Sequence, residues 1–199
     1  MIKIIDYGAG NIGSITNMLL RLGQECEVTN DPEKINKATK LILPGVGKFD
    51  YGMSKLKESG LIEILNEKAL VEKIPILGIC LGAQLMTKSS QEGEIPGLSW
   101  FDAEVLKFKD GLLRVPHMGW NSVYPCINDR ITFNLTESRF YFVHSYYIHS
   151  NNPDEVMFTS TYGQEFAAGL KKNNIYAVQF HPEKSHKFGI QLFENFLSI

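Results

Sequence analysis

The feature that most narrows the fold is a repeated unit in the first half of the chain. A short apolar run leads into a glycine-rich turn, and apolar residues at helical spacing follow. Residues 2–5 form a short run that is apolar except for Lys3, Gly8, Gly10 and Gly13 come next, and Ile12, Ile15, Leu19 and Leu22 then recur every three or four positions. The unit repeats. Residues 25–29, 41–43 and 74–79 read as strands, and Asn30-Asp31-Pro32-Glu33 reads as a helix cap with proline in the first turn. Helices are expected over 51–58, 61–71 and 82–89. Continuous apolar strands alternating with helices demand a parallel sheet covered on both faces. From residue 100 to 180 the pattern changes to short aromatic and β-branched runs between turn residues, as at 140–143, 156–161 and 175–180. These predict antiparallel additions and strands returning to the sheet. Leu192, Phe193, Phe196 and Leu197 close the chain on one helix face. The fold class expected is therefore α/β: a mostly parallel central sheet flanked by helices, with antiparallel additions in the second half.

Length agrees with one domain over residues 1–199. A chain of this size buries roughly 70% of its unfolded surface. With 44% hydrophobic and 21% charged residues, disorder is excluded as the main state. Twenty basic against 22 acidic residues give a net charge of -2, which argues against coating nucleic acid or an anionic membrane. Cys26, Cys80 and Cys126 are odd in number and far apart, so neither a disulfide framework nor a zinc knuckle is expected. A reduced, cytoplasmic compartment is the natural expectation. The apolar start, Met1 to Asp6, is too short for a signal peptide, and no run approaches the ~20 residues of a membrane span.

Four segments carry chemistry. Gly8-Ala9-Gly10-Asn11-Ile12-Gly13 fits the dinucleotide pattern G-x-G-x-x-G between a strand and a helix, with Glu27 or Asp31 as the downstream acid. A plain tight turn explains the same glycines. Gly78-Ile79-Cys80-Leu81-Gly82 is the cysteine form of a nucleophile elbow. A nucleophile on a sharp strand-to-helix turn needs small neighbours. The helix that follows aims amides at the sulfur, which favours thiolate. Roughly a hundred residues downstream, an apolar strand runs into His181-Pro182-Glu183. There an imidazole can shuttle protons for Cys80 while Glu183 orients it, unless the pair is simply a surface loop. Pro44-Gly45-Val46-Gly47 ends a strand, and two glycines there let backbone amides turn inward as a nest for an oxyanion, or form an ordinary loop.

Together these segments, with Gln84 after the elbow, resemble the class I (triad) glutamine amidotransferases. Asp6 to Asn11, Val115 to Asn121, Tyr141 to Tyr146 and Gln179 to Ser185 extend the resemblance in order along almost the whole chain. Ala83 stands where the family commonly has methionine. The resemblance implies hydrolysis of glutamine to glutamate and ammonia with Cys80, His181 and Glu183 as the triad. It implies an oxyanion hole from the amides of Gly47 and Leu81, with Val46 reorienting its peptide on activation. Gln84, His144, Ser145 and Tyr146 would hold the amino-acid end of glutamine. Ammonia would pass to a (β/α)₈-barrel synthase subunit of histidine biosynthesis, bound as a heterodimer, with no metal or organic cofactor. Paralogues that feed sugar-modifying amidotransferases of surface-polysaccharide pathways share these motifs and are the alternative. The resemblance moves the Gly8–Gly13 turn to the partner face, with Asn11, Trp120 and Asn121 as contacts. His117 is either a contact near the glutamine site or part of its loop. Cys26, Cys126, His149 and His186 match no catalytic motif. A stand-alone cysteine hydrolase and a nucleotide-binding module are the remaining rivals.

Overall fold

The computed structural model describes residues 1–109 and 113–199. Its first half is the expected alternation: β1 (Ile2–Ile5), α1 (Ile12–Arg21), β2 (Cys26–Thr29), α2 (Pro32–Asn36), β3 (Lys40–Leu43), α3 (Phe49–Glu58), α4 (Ile62–Asn66), β4 (Ile76–Ile79) and α5 (Leu81–Leu85). The second half supplies β5 (Ser89–Ser90), β6 (Ala103–Lys107), β7 (His117–Pro125), β8 (Ser138–His144), β9 (Tyr146–Ser150), β10 (Val156–Tyr162), β11 (Gln164–Lys172), β12 (Ile175–Val178) and α6 (His186–Leu197).

The main sheet runs β2-β1-β3-β4-β12-β11-β10-β7-β8. It is parallel from β2 to β12 and antiparallel from β12 onward. A branch of the same sheet, β5-β6-β9, joins it through β9 and β11. The return of β12 beside β4 matters most, because it sets Val178 opposite Ile79 and so brings the ends of both strands together.

Strand alternation sorts the core. Leu41, Leu43 and Ile76 face one cluster with Phe49, Met53 and Leu56 of α3 and with Leu65 of α4. Ile42, Leu77 and Ile79 face the other, with Ile15 and Leu19 of α1 and Leu192, Phe193 and Phe196 of α6. Both faces are thus dry, which is why the strands read as unbroken apolar runs. Asp31 caps α2 as its sequence predicts, its carboxylate accepting from the Glu33 amide at 2.9 Å.

Two helices differ from expectation. The helix after the elbow stops at Leu85, because the Leu85 carbonyl accepts from Leu98 and the Met86 carbonyl from Trp100 and Phe101. That loop takes over the helix end, and Ser89 and Ser90 pair with β6. The expected helix over 61–71 is α4 followed by a π-helical turn, Glu67–Val71. Inside that turn Lys68 is buried, its ammonium held by the Asn36 carbonyl and the Glu72 carboxylate.

Candidate active site

Cys80 sits between β4 and α5 with φ 54° and ψ -112°, a left-handed backbone that an L-residue holds only under constraint. The constraint comes from its neighbours. The Cys80 amide donates to Val178 at 2.8 Å, tying the elbow to β12. A Cβ on Gly82 would lie 1.9 Å from the Leu43 carbonyl oxygen, and one on Gly78 would lie 2.7 Å from the Met86 side chain. The elbow is therefore wedged against β3 and α5 where only glycine fits. Backbone strain of this kind clusters at reactive positions.

β12 ends at Val178, and the chain continues through Gln179 and Phe180 to His181. The His181 amide donates to the Tyr141 carbonyl at 2.9 Å. Ser185 clamps the same spot, accepting from the Tyr141 amide at 3.0 Å and donating to the His181 carbonyl at 2.6 Å. Pro182 opens a tight turn that swings Glu183 back under the imidazole, with His181 Nδ1 at 2.8 Å from Glu183 Oε1. Both side chains are almost fully buried. Burial opposes charge on this imidazole, but the adjacent Cys80 sulfur and Glu183 carboxylate prevail and raise its pKa to about 10. His181 Nε2 and Glu183 Oε2 are buried with no hydrogen-bond partner among the described residues. With its proton held in this way, the buried Nε2–H is available to a negative sulfur or to a departing nitrogen.

A cavity of about 300 Å³ opens over the elbow, lined by Val46, Gly47, Cys80, Gln84, Ser145 and His181 among others. Leu81, Tyr146 and His144 complete the expected set, so every catalytic, oxyanion and glutamine-site residue read from sequence except Glu183 borders one space, and Glu183 lies behind His181. Gly47 has φ 107° and Val46 is exposed. The Leu81 amide donates to the Gly45 carbonyl at 3.3 Å, so in this conformation one of the two expected oxyanion donors is engaged within the protein. Tyr7 supports the same loop, donating to the Pro44 carbonyl at 2.7 Å; its pKa is driven upward by burial and then by the Cys80 charge.

Glu92, which no motif announced, also lines the cavity, with Oε2 accepting from the Phe49 amide at 2.9 Å. Gln179 opens the Gln179–Ser185 segment. It is fully buried, accepts from Gln84 Nε2 at 3.0 Å and places its own Nε2 3.9 Å from Cys80 Sγ. His144 lines the cavity, but both ring nitrogens are occupied: Nδ1 by the Tyr146 carbonyl at 2.7 Å and Nε2 by His117 Nδ1 at 2.8 Å. Asn121 is likewise engaged inside the protein, with the Thr161 carbonyl at 2.8 Å, His117 Nε2 at 3.2 Å and the Ser122 amide at 2.8 Å. Its neighbour Trp120 is exposed, with His186 stacked on it at 5.4 Å. Asn11 is half-buried and accepts from Ser14 at 3.1 Å.

The Gly8–Gly13 turn lacks what a dinucleotide site needs. Glu27 is bound to Lys3 and Lys34, and Asp31 caps α2. A Cβ on Gly13 would meet nothing within 4 Å, whereas the third glycine of the fingerprint serves close helix–strand packing. Cys26 is half-buried and Cys126 exposed; both are free thiols away from the cavity lining. Among the described residues, no helix is long and apolar enough to cross a membrane.

Comparison with known proteins agrees with this geometry. The family model for glutamine amidotransferase class I matches residues 3–199. The imidazole glycerol phosphate synthase subunit HisH 2 of Methanococcus maripaludis is 56% identical, over 99% of this chain and 98% of its own length. The corresponding HisH subunit of Bdellovibrio bacteriovorus is 46% identical, over the full length of both chains. A crystal structure of a glutamine amidotransferase superposes with a TM-score of 0.78 at 20% identity, covering 99% of this chain and 97% of that one, and so shares the fold.

Proposed function

This chain belongs to the class I glutamine amidotransferase family, and from that premise we propose that it is the glutaminase subunit of an imidazole glycerol phosphate synthase, acting in histidine biosynthesis. Residues 1–199 form one glutaminase domain. The observation that carries the reading is the convergence of β4 and β12. It sets a strained cysteine and a buried His–Glu pair at one cavity of metabolite size.

The chemistry follows from the site. With the Cys80 proton already held on His181 Nε2, Sγ attacks the side-chain amide carbon of glutamine. The carbonyl oxygen takes the negative charge. His181, held by Glu183, gives the proton to the departing nitrogen, so ammonia leaves and a glutamyl thioester remains. Water, deprotonated by the same imidazole, then releases glutamate and restores the thiol. The Gly47 and Leu81 amides receive the oxyanion, with the Val46 peptide turning to complete the hole. Gln84, Glu92, Ser145 and Tyr146 hold the amino-acid end, Glu92 supplying the charge that suits an α-ammonium.

The engaged Leu81 amide supports control by a partner, since the hole is incomplete until Gly45 gives it up. A missing oxyanion donor is worth on the order of 10²–10³-fold in rate. The partner is a (β/α)₈-barrel cyclase subunit in a cytoplasmic heterodimer, docking on the face that carries Asn11 and Trp120. The family relatives named as imidazole glycerol phosphate synthase subunits favour this acceptor over a polysaccharide-pathway barrel. The test is glutamate release by the isolated chain, with the cyclase subunit, and with the cyclase plus its acceptor ribonucleotide. The expected result is stimulation on the order of 10²-fold or more in the last mixture. Flat turnover there, with stimulation by a sugar-modifying barrel, overturns the histidine-pathway assignment.

A further inference from the structure

The polar side chains of β7 and β8 form a chain whose direction can be read from donors and acceptors alone. The Tyr146 carbonyl can only accept, so His144 Nδ1, 2.7 Å away, carries a hydrogen. Asn121 is fixed at the other end. Its oxygen accepts from the Ser122 amide and its nitrogen donates to the Thr161 carbonyl, so Nδ2 faces His117 Nε2 as a donor. His117 Nε2 is then an acceptor and His117 Nδ1 a donor, and the 2.8 Å contact to His144 Nε2 runs from His117 to His144. A proton added to either ring would set two donors face to face at one of these contacts. Burial agrees, holding His117 down to about 4 and His144 to about 3.

The chain ends at the substrate pocket. The Tyr146 carbonyl, already bonded to His144, takes a second hydrogen bond from Gln84 Nε2 at 3.2 Å, and the other hydrogen of that nitrogen goes to Gln179 Oε1. Both amide hydrogens of Gln84 are thereby used. Its oxygen has no hydrogen-bond partner among the described residues and belongs to a side chain that lines the cavity beside Glu92. We infer that Asn121, His117 and His144 are a one-way donor relay that positions the Tyr146 carbonyl and so fixes the Gln84 amide with its oxygen toward the cavity, polarising the pocket for the α-ammonium of its substrate. Without the relay the Gln84 amide can turn over and present N–H groups to a cation. His117 and His144 are positioning residues and touch no reacting atom.

This inference rests on the cavity being a glutamine site, and the experiment separates the two claims. The two-subunit enzyme is compared as wild type, His117→Phe and His117→Asn. Phenylalanine keeps a ring between Tyr162 and Phe142, on which His117 stacks at 4.1 and 4.8 Å, but has no donor. Asparagine places an amide N–H near the Nδ1 position. The readouts are KM and kcat for glutamine, and the preference for glutamine over 4-carbamoylbutanoate, which lacks the α-amino group. His117→Phe is expected to raise KM about tenfold, the size of one lost hydrogen bond, with a smaller change in kcat and a matching loss of preference, and His117→Asn to restore most of both. In parallel, ¹⁵N NMR of histidine-labelled wild type should show both imidazoles neutral and protonated on Nδ1, the tautomer that free histidine populates less. An Nε2-protonated or cationic ring at His117 or His144 at neutral pH, an unchanged preference in His117→Phe, or equal losses in both variants overturns the relay. Wild type without glutaminase activity refutes the glutamine reading instead, while the NMR result still decides the relay.

Discussion

The imidazole of His181 holds a proton to about pH 10, against its burial, because Cys80 and Glu183 flank it. That coupling is testable as stability. Its pKa lies above the ordinary 6.5 of the unfolded chain, so its contribution is complete below about pH 6.5 and disappears as pH rises through about 10. Glu183→Gln removes one of the two charges. The melting temperature of wild type should exceed that of Glu183→Gln most at pH 6.5 or below, and the gap should narrow toward pH 10. A gap that widens with pH contradicts the pairing. Legibility at this scale is uneven. Cys80, His181 and Glu183 are visible in sequence because each sits inside a short local pattern: glycines two positions either side, or a carboxylate two residues on. Glu92, Gln179 and the relay are not. Their roles exist only where β6–β9, α5 and β12 meet, and nothing within a few residues of each announces it. His144 shows the same limit, since the resemblance placed it at the pocket but not which ring nitrogens remain free.

At the scale of elements, the elbow and the Gly8–Gly13 turn make a controlled pair. Both are glycine-rich strand-to-helix turns, but their glycines do different work. The Cβ of Gly82→Ala would collide with the Leu43 carbonyl at 1.9 Å, backbone that cannot yield without moving β3. Overpacking of that kind costs about 1–3 kcal/mol or more. Gly13 lies in α1 with open space around it, so Gly13→Ala should stabilise by about 0.5–1 kcal/mol through helix propensity. Urea unfolding of the two variants should therefore move in opposite directions from wild type. Destabilisation by Gly13→Ala would mean that the turn is under a constraint absent from this packing. The first-half strands are legible to within a residue or two because both faces of β1, β3 and β4 are buried. The second half was harder. β11 carries Ala167, Ala168 and Gly169, poor strand formers on their own, and is held by pairing with β10, β12 and β9. The helix after the elbow is shorter than its sequence predicts, because its polar end continues the pattern while the 98–101 loop captures the chain.

For the whole molecule, the two cores and the cavity have separate tasks. Helices on both faces of the sheet bury the strands, and the site occupies the end of β4 and β12, where strand tips and loops from both halves meet. The antiparallel half supplies Ser145 and Tyr146 of the cavity lining, the relay behind them and the exposed Trp120, while Gln84 comes from α5 and Glu92 from the segment after β5. Under the proposed function, the cavity of about 300 Å³ takes glutamine and the acceptor chemistry falls to a partner. The measurement that tests the account most directly is the rate of glutamate release by Cys80→Ala in complex with the cyclase subunit and its acceptor. Removing a triad nucleophile costs at least about 10⁴-fold, because triad members act as a unit, and a loss of that size is predicted. A Cys80→Ala complex that releases glutamate within about tenfold of the wild-type rate would contradict the thioester mechanism and the assignment of the site.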